Sequence, residues 1–160
     1  MKMFLLNTDK ALRETKKLSN RMRLDANVLL RVATGAPEEV AIKAKQLFQS
    51  VAKQNIKLIV PTLVAAECCW VLSGVYEFNR FQIRDGLSKI FSLPFIELED
   101  SFVLKALNDY AEKNIDFIDA YLGNSSKEIP IITWNEKHFK RLPCEFFTPE
   151  QMLDNLKSEI

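Results

Sequence analysis

The chain is poor in the residue types from which several common sites are built. It has one histidine, His138, and three cysteines among 160 residues. Cys68 and Cys69 are neighbours in an apolar stretch and Cys144 stands alone, so no zinc-ligand spacing is present. Buried, reduced thiols are the expected state, which suits a reducing compartment. The four glycines are scattered, and none belongs to a loop of the kind that cradles phosphate. No apolar run approaches the roughly 20 residues of a membrane span, and the stretch up to Leu6 is too short for a signal-peptide core. The chain therefore reads as cytoplasmic, with no membrane partner. Neither sign of charge dominates, with 22 basic against 21 acidic residues, so the whole-molecule field gives no argument for nucleic acid. Such a partner has to be argued from local charge. Repeats, low-complexity tracts and linkers are also missing.

What is present fits one domain with a proper core, at 48% hydrophobic and 27% charged residues. Residues 1–21 differ from the rest, with six basic residues against two acidic ones and little apolar surface. They read as a basic extension, at most a helix over 8–20. Either Met22 is the biological start, or the extension is an arm that touches a polyanion. From Met22 to Ile160 short apolar runs alternate with helical periodicity. Strands are expected at 22–24, 57–60, 95–97, 129–133 and 145–147. Helices are expected at 37–54, 61–74, 78–91, 100–114, 116–127 and 149–156, three of them beginning at a proline. Strands separated by helices imply crossover connections, hence an α/β fold with a mainly parallel sheet covered on both faces.

Three places carry acids in informative settings. Arg23-Leu24-Asp25-Ala26-Asn27 reads as a strand delivering Asp25 to its tip, with Asn27 capping the helix that follows. Ordinary turn chemistry gives the same pattern. Glu67 is the only charged side chain between residues 58 and 76. A helix that is apolar all round is expected to be buried, so Glu67 should be neutral, salt-bridged or metal-bound. Asp116 and Asp119 lie three apart and share one helix face. They serve either as N-cap and first-turn acid, or as paired carboxylates that need a cation between them. These acids follow predicted strands, where parallel sheets gather their sites. Carboxylates without histidine or cysteine form a hard oxygen set suited to Mg²⁺ or Mn²⁺, and such a site suits phosphodiester hydrolysis by a metal-activated water.

Four segments together resemble the PIN domain, and more narrowly VapC-type toxins of toxin–antitoxin pairs. They are Leu24-Asp25-Ala26-Asn27-Val28-Leu29-Leu30-Arg31, Glu67 within Val64 to Leu72, Asp116-Phe117-Ile118-Asp119-Ala120-Tyr121-Leu122, and Thr133-Trp134-Asn135 with His138-Phe139. The resemblance implies a three-layer α/β/α sandwich with a central sheet of four to five strands. It further implies a metal-dependent ribonuclease with RNA as substrate, a homodimer, and a small antitoxin as partner. By the same resemblance Asp25, Glu67 and Asp119 are the metal-binding acids, Asp116 is an additional one, and Asn27 supports the first. Many members carry Asp where this chain has Asn135, so a one-metal site, or an orienting role for Asn135, is the expectation.

Other residues near these segments have two readings each. His138 is a general acid, or a structural or phosphate-facing group. Lys137, Lys140 and Arg141 hold RNA phosphates or are merely solvated. Thr133 orients a ligand or simply ends a strand, and Trp134 stacks on a base or packs. The alternative to an enzyme is an impaired PIN-like module that binds RNA or a protein. A small-molecule phosphatase is disfavoured by the lack of a nucleophilic Asp motif and a Gly loop.

Overall fold

The computed structural model describes residues 19–126 and 128–158. The expected basic helix over 8–20 lies outside them, apart from Ser19 and Asn20 at its end. Three parallel strands form the main sheet: β1 (Arg21–Arg23), β2 (Lys57–Val60) and β3 (Ile96–Leu98), in the order β1-β2-β3. Helices α1 (Ala26–Thr34) and α2 (Glu38–Lys53) connect β1 to β2, and α3 (Thr62–Gly74) and α4 (Arg80–Phe91) connect β2 to β3. Two-helix crossovers of this kind are what parallel neighbours require. After β3 come α5 (Phe102–Glu112), α6 (Phe117–Ser125), β4 (Ile131–Ile132), α7 (Glu136–Phe139), β5 (Phe146–Phe147) and α8 (Pro149–Ser158).

Local chemistry explains the breaks. Gly35, at φ 71°, takes the left-handed position that ends α1 and donates its N–H to the Arg31 carbonyl. Pro37 precedes α2, whose first turn carries Glu38 and Glu39 at the positive end of the helix dipole. Asn79 and Gln82 close a reciprocal capping box, so α4 starts at Arg80 rather than at the expected Phe78.

Two expectations about the sheet are corrected. The five strands divide into the three-stranded sheet and a separate pair, β4 with β5. Strand β4 is only two residues long and its bonds go to β5, through Ile131 N–H to the Glu145 carbonyl and Thr133 N–H to the Phe147 carbonyl. No ladder joins it to β1 among the described residues. The main sheet is also not apolar on both faces. Leu24, Leu58, Val60 and Ile96 are buried on one side, whereas Arg21, Arg23, Lys57 and Glu97 occupy the other. Ion pairs Arg21–Glu97 and Arg23–Glu99 span β2 there. Strands β1 and β3 alternate apolar and charged positions, the pattern of a half-buried sheet, while β2 adds Ile59 to the charged face.

The core runs from the buried sheet face through the helices, with Leu29, Leu72, Ile83, Leu87, Val103, Leu107 and Ile115 all fully buried. Each such side chain contributes about 1.5–3 kcal/mol by leaving water. Helices α5 and α6 are additionally joined by a buried polar link, in which the Asn124 amide donates to Asp109 (2.8 Å) and Asp109 pairs with Lys113 (3.1 Å). No helix among the described residues is long and apolar enough to cross a membrane.

Candidate metal centre

Of the acids singled out in the sequence, only Asp25 directly follows a strand; Glu67 lies within α3, and Asp116 and Asp119 open α6, which follows α5. Asp25 follows β1 and takes the N-cap position of α1, with an exposed side chain that makes no cap bond. The expected cap, Asn27, is therefore inside the first helical turn. Its side chain lines a groove with Val28, Arg31, Lys43 and Leu47 between α1 and α2, and no hydrogen bond to Asp25 is made among the described residues. The helix begins two residues earlier than a cap at Asn27 requires, so Asn27 is a helical residue.

Glu67 is exposed, which corrects its expected burial. Helix α3 buries only Ala65, Cys68, Cys69 and Leu72, while Leu63 and Trp70, each 81% exposed, share the open side with Glu67. No desolvation cost then forces this carboxyl to be neutral or paired. Beneath it, burial pushes the Cys68 thiol up to about 12, and the charges of Glu67 and Asp25 add to the effect.

Helix α6 presents the other pair. Asp116 is its N-cap and Asp119 sits in its first turn. Asp119 is half-buried, and its Oδ2 accepts a bond from the Asn135 amide (2.8 Å) and lies 2.6 Å from His138 Nδ1. Nδ1 also lies 2.9 Å from the Asn135 amide nitrogen, so it donates to Asp119 in the tautomer protonated there and accepts from Asn135 in the other. The Asn135 backbone N–H is held in turn by Thr133 Oγ1 (2.9 Å). Ligand atoms of Asp116, Asp119 and His138 all lie within 4.8 Å of one another, the one such group among the described residues. Glu67 joins Asp116 and Asp119 in lining a cleft of about 800 Å³, whose other walls include Leu63, Trp70, Ile118, Tyr110 and Arg80. Asp25 is not among the groups that line it.

Two of the basic residues near the site, Arg141 and Lys140, have partners within the chain. Arg141 donates through Nε to the Lys137 carbonyl (3.1 Å) and through its guanidinium to the Lys113 carbonyl, tying the end of α7 to the α5–α6 corner. Lys140 pairs with Glu136 (2.8 Å), and Lys137 is exposed. Trp134 is largely exposed and donates its indole N–H to the Glu150 carboxylate. Three further residues, Arg80, Asp100 and Tyr121, carry no pattern in the sequence that marks them for this region. Tyr121 donates its hydroxyl to Asp100 (2.6 Å), joining α6 to the end of β3, and this bond together with burial raises the hydroxyl above its usual range. The Asn79-Arg80-Phe81-Gln82 cap marks Arg80 as a helix start in the sequence, but nothing there points it at the cleft.

A family model described as PIN domain matches residues 22–143. A VapC ribonuclease of Aquifex aeolicus (strain VF5) is 26% identical over 129 residues, covering 79% of this chain and 95% of that protein. No solved structure matches. The matched span runs from β1 past α7 and takes in every acid of the cleft, and on it the chain belongs to the PIN domain family.

Proposed function

We propose that this protein is a metal-dependent endoribonuclease, the toxin half of a toxin–antitoxin pair, acting in the cytoplasm with Mg²⁺ or Mn²⁺. The observation that carries this reading is one cleft that holds Glu67, Asp116 and Asp119, with the last fixed by Asn135 and His138. The donor set fits the ion, because carboxylate oxygens predominate and the imidazole lies against a ligand oxygen, where an outer-sphere orienter would sit. Asp119, Asp116 and Glu67 would hold the ion, and Asp25, which follows β1 and does not line the cleft, would join them as the resemblance implies. A bound divalent ion supplies an acidified water and neutralises charge developing on the phosphate. The chain's own part is orientation: Thr133 sets Asn135, and Asn135 with His138 leaves only Oδ1 of Asp119 free of hydrogen bonds among the described residues. Asn135 is engaged as a donor to Asp119, which supports a single-ion site with Asn135 as orienter.

The exposed Leu63, Trp70 and Ile118 at the cleft rim support a homodimer, since isolated domains seldom leave such apolar surface contiguous. A VapC relative supports RNA as substrate and a small antitoxin as partner. Cleavage of mixed RNA with Mn²⁺ or Mg²⁺ tests the enzyme. Asp119→Asn, Glu67→Gln and Asp25→Asn should each lower the rate by at least about 100-fold, and chelation should abolish it. RNA binding without metal-dependent cleavage would instead support the impaired module.

A further inference from the structure

Among the described residues that line the cleft, Arg80 is the only cation. Its placement is built rather than incidental. The capping box of Asn79 with Gln82 fixes the first turn of α4, on which Arg80 is the opening residue. The guanidinium lies over the Tyr110 ring, 4.4 Å from its centroid. Both bonds from Nη1 go to backbone carbonyls, Tyr110 at 3.1 Å and Ile115 at 2.6 Å. Nη2 faces Asp116 Oδ1 at 3.6 Å.

These partners bracket the short turn that delivers the acids. The Tyr110 carbonyl belongs to the last turn of α5, where carbonyls lack intrahelical partners and a positive charge is favoured. The Ile115 carbonyl immediately precedes Asp116, and between the two bonded carbonyls, of Tyr110 and Ile115, Asn114 adopts φ 49°. One planar group thus ties down both ends of a strained turn and the first carboxylate beyond it. Asp119, one turn further along α6, inherits the same placement.

We propose that Arg80 is a positioning residue for the metal-binding acids, holding the Asn114–Asp116 turn and the Asp116 carboxylate in place through its forked donor geometry. The proposal rests on the metal-dependent reading of the cleft. The fork is what matters: lysine keeps the charge but cannot reproduce planar, multi-point donation.

The test is Mn²⁺ binding alone, by isothermal titration, for wild type, Arg80→Lys and Arg80→Gln, with melting temperature measured in parallel. Both variants should bind Mn²⁺ roughly tenfold more weakly, the loss typical of residues that orient ligands. Wild-type affinity in Arg80→Lys would overturn the proposal in favour of simple charge, as would tighter binding in Arg80→Gln. Unchanged affinity with a lowered melting temperature would leave Arg80 as a structural clamp only and overturn it equally. Should the variants not fold, a Mg²⁺ titration of the wild-type protein monitored at the Arg80 Nε–H resonance decides, since that signal should shift, and its constancy overturns the proposal. Wild type that binds no Mn²⁺ removes both this proposal and the metal-dependent function, whereas binding that ignores Arg80 removes this proposal alone.

Discussion

At the scale of single residues the site turns on Asp119, which shares one oxygen between an amide and an imidazole. His138→Ala removes the imidazole partner while leaving the carboxylate, so metal affinity or activity should fall by about 10–100-fold with the fold intact. Circular dichroism alongside Mn²⁺ titration checks both halves of that statement. The thiols give a second prediction: alkylation by iodoacetamide near neutral pH should mark Cys144, which is half-buried, well before Cys68 and Cys69. Mass spectrometry reads the order directly, and early labelling of Cys68 would contradict its burial. Asp116 as N-cap and Asp119 in the first turn were legible, because cap and dipole preferences are local. The setting of Glu67 was not, since an apolar helix looks alike whether its second face meets protein or solvent. Nor was Arg80, whose partners Tyr110 and Ile115 are distant in sequence and engaged through their backbones.

At the scale of elements, α6 is seated by a close approach. A Cβ on Gly123 would meet Leu142 Cδ1 at 2.6 Å, so glycine there lets the loop after α7 lie against the helix that carries Asp119. Gly123→Ala should cost about 1–3 kcal/mol through overpacking. Gly86, inside α4 with open space around its Cβ position, is the control: Gly86→Ala should gain up to about 1 kcal/mol from helix propensity. Urea unfolding of the two variants should move the midpoint in opposite directions. The order of strands and helices was readable from periodicity, and most boundaries fell within two residues. The exposed sheet face was written in the alternation Arg21-Met22-Arg23-Leu24 but outweighed by the expectation of covered parallel strands. How β4 and β5 pair depends on backbone bonds between segments, which no local pattern encodes.

At the scale of the whole molecule, the apolar rim of the cleft bears on assembly. Trp70→Glu should turn a dimer into a monomer in sedimentation velocity without loss of fold, because Trp70 buries little within its own chain. A wild type that sediments as a monomer at high concentration would end the homodimer reading. The division into two ladders has its own consequence. Amides of Ile131 and Thr133, bonded only within the small pair, should trade hydrogen for deuterium sooner than those of Leu24 and Leu58 in the three-stranded sheet. Since Asn135 and His138 ride on that smaller pair, brief local opening would release the grip on Asp119 while the rest of the chain stays closed.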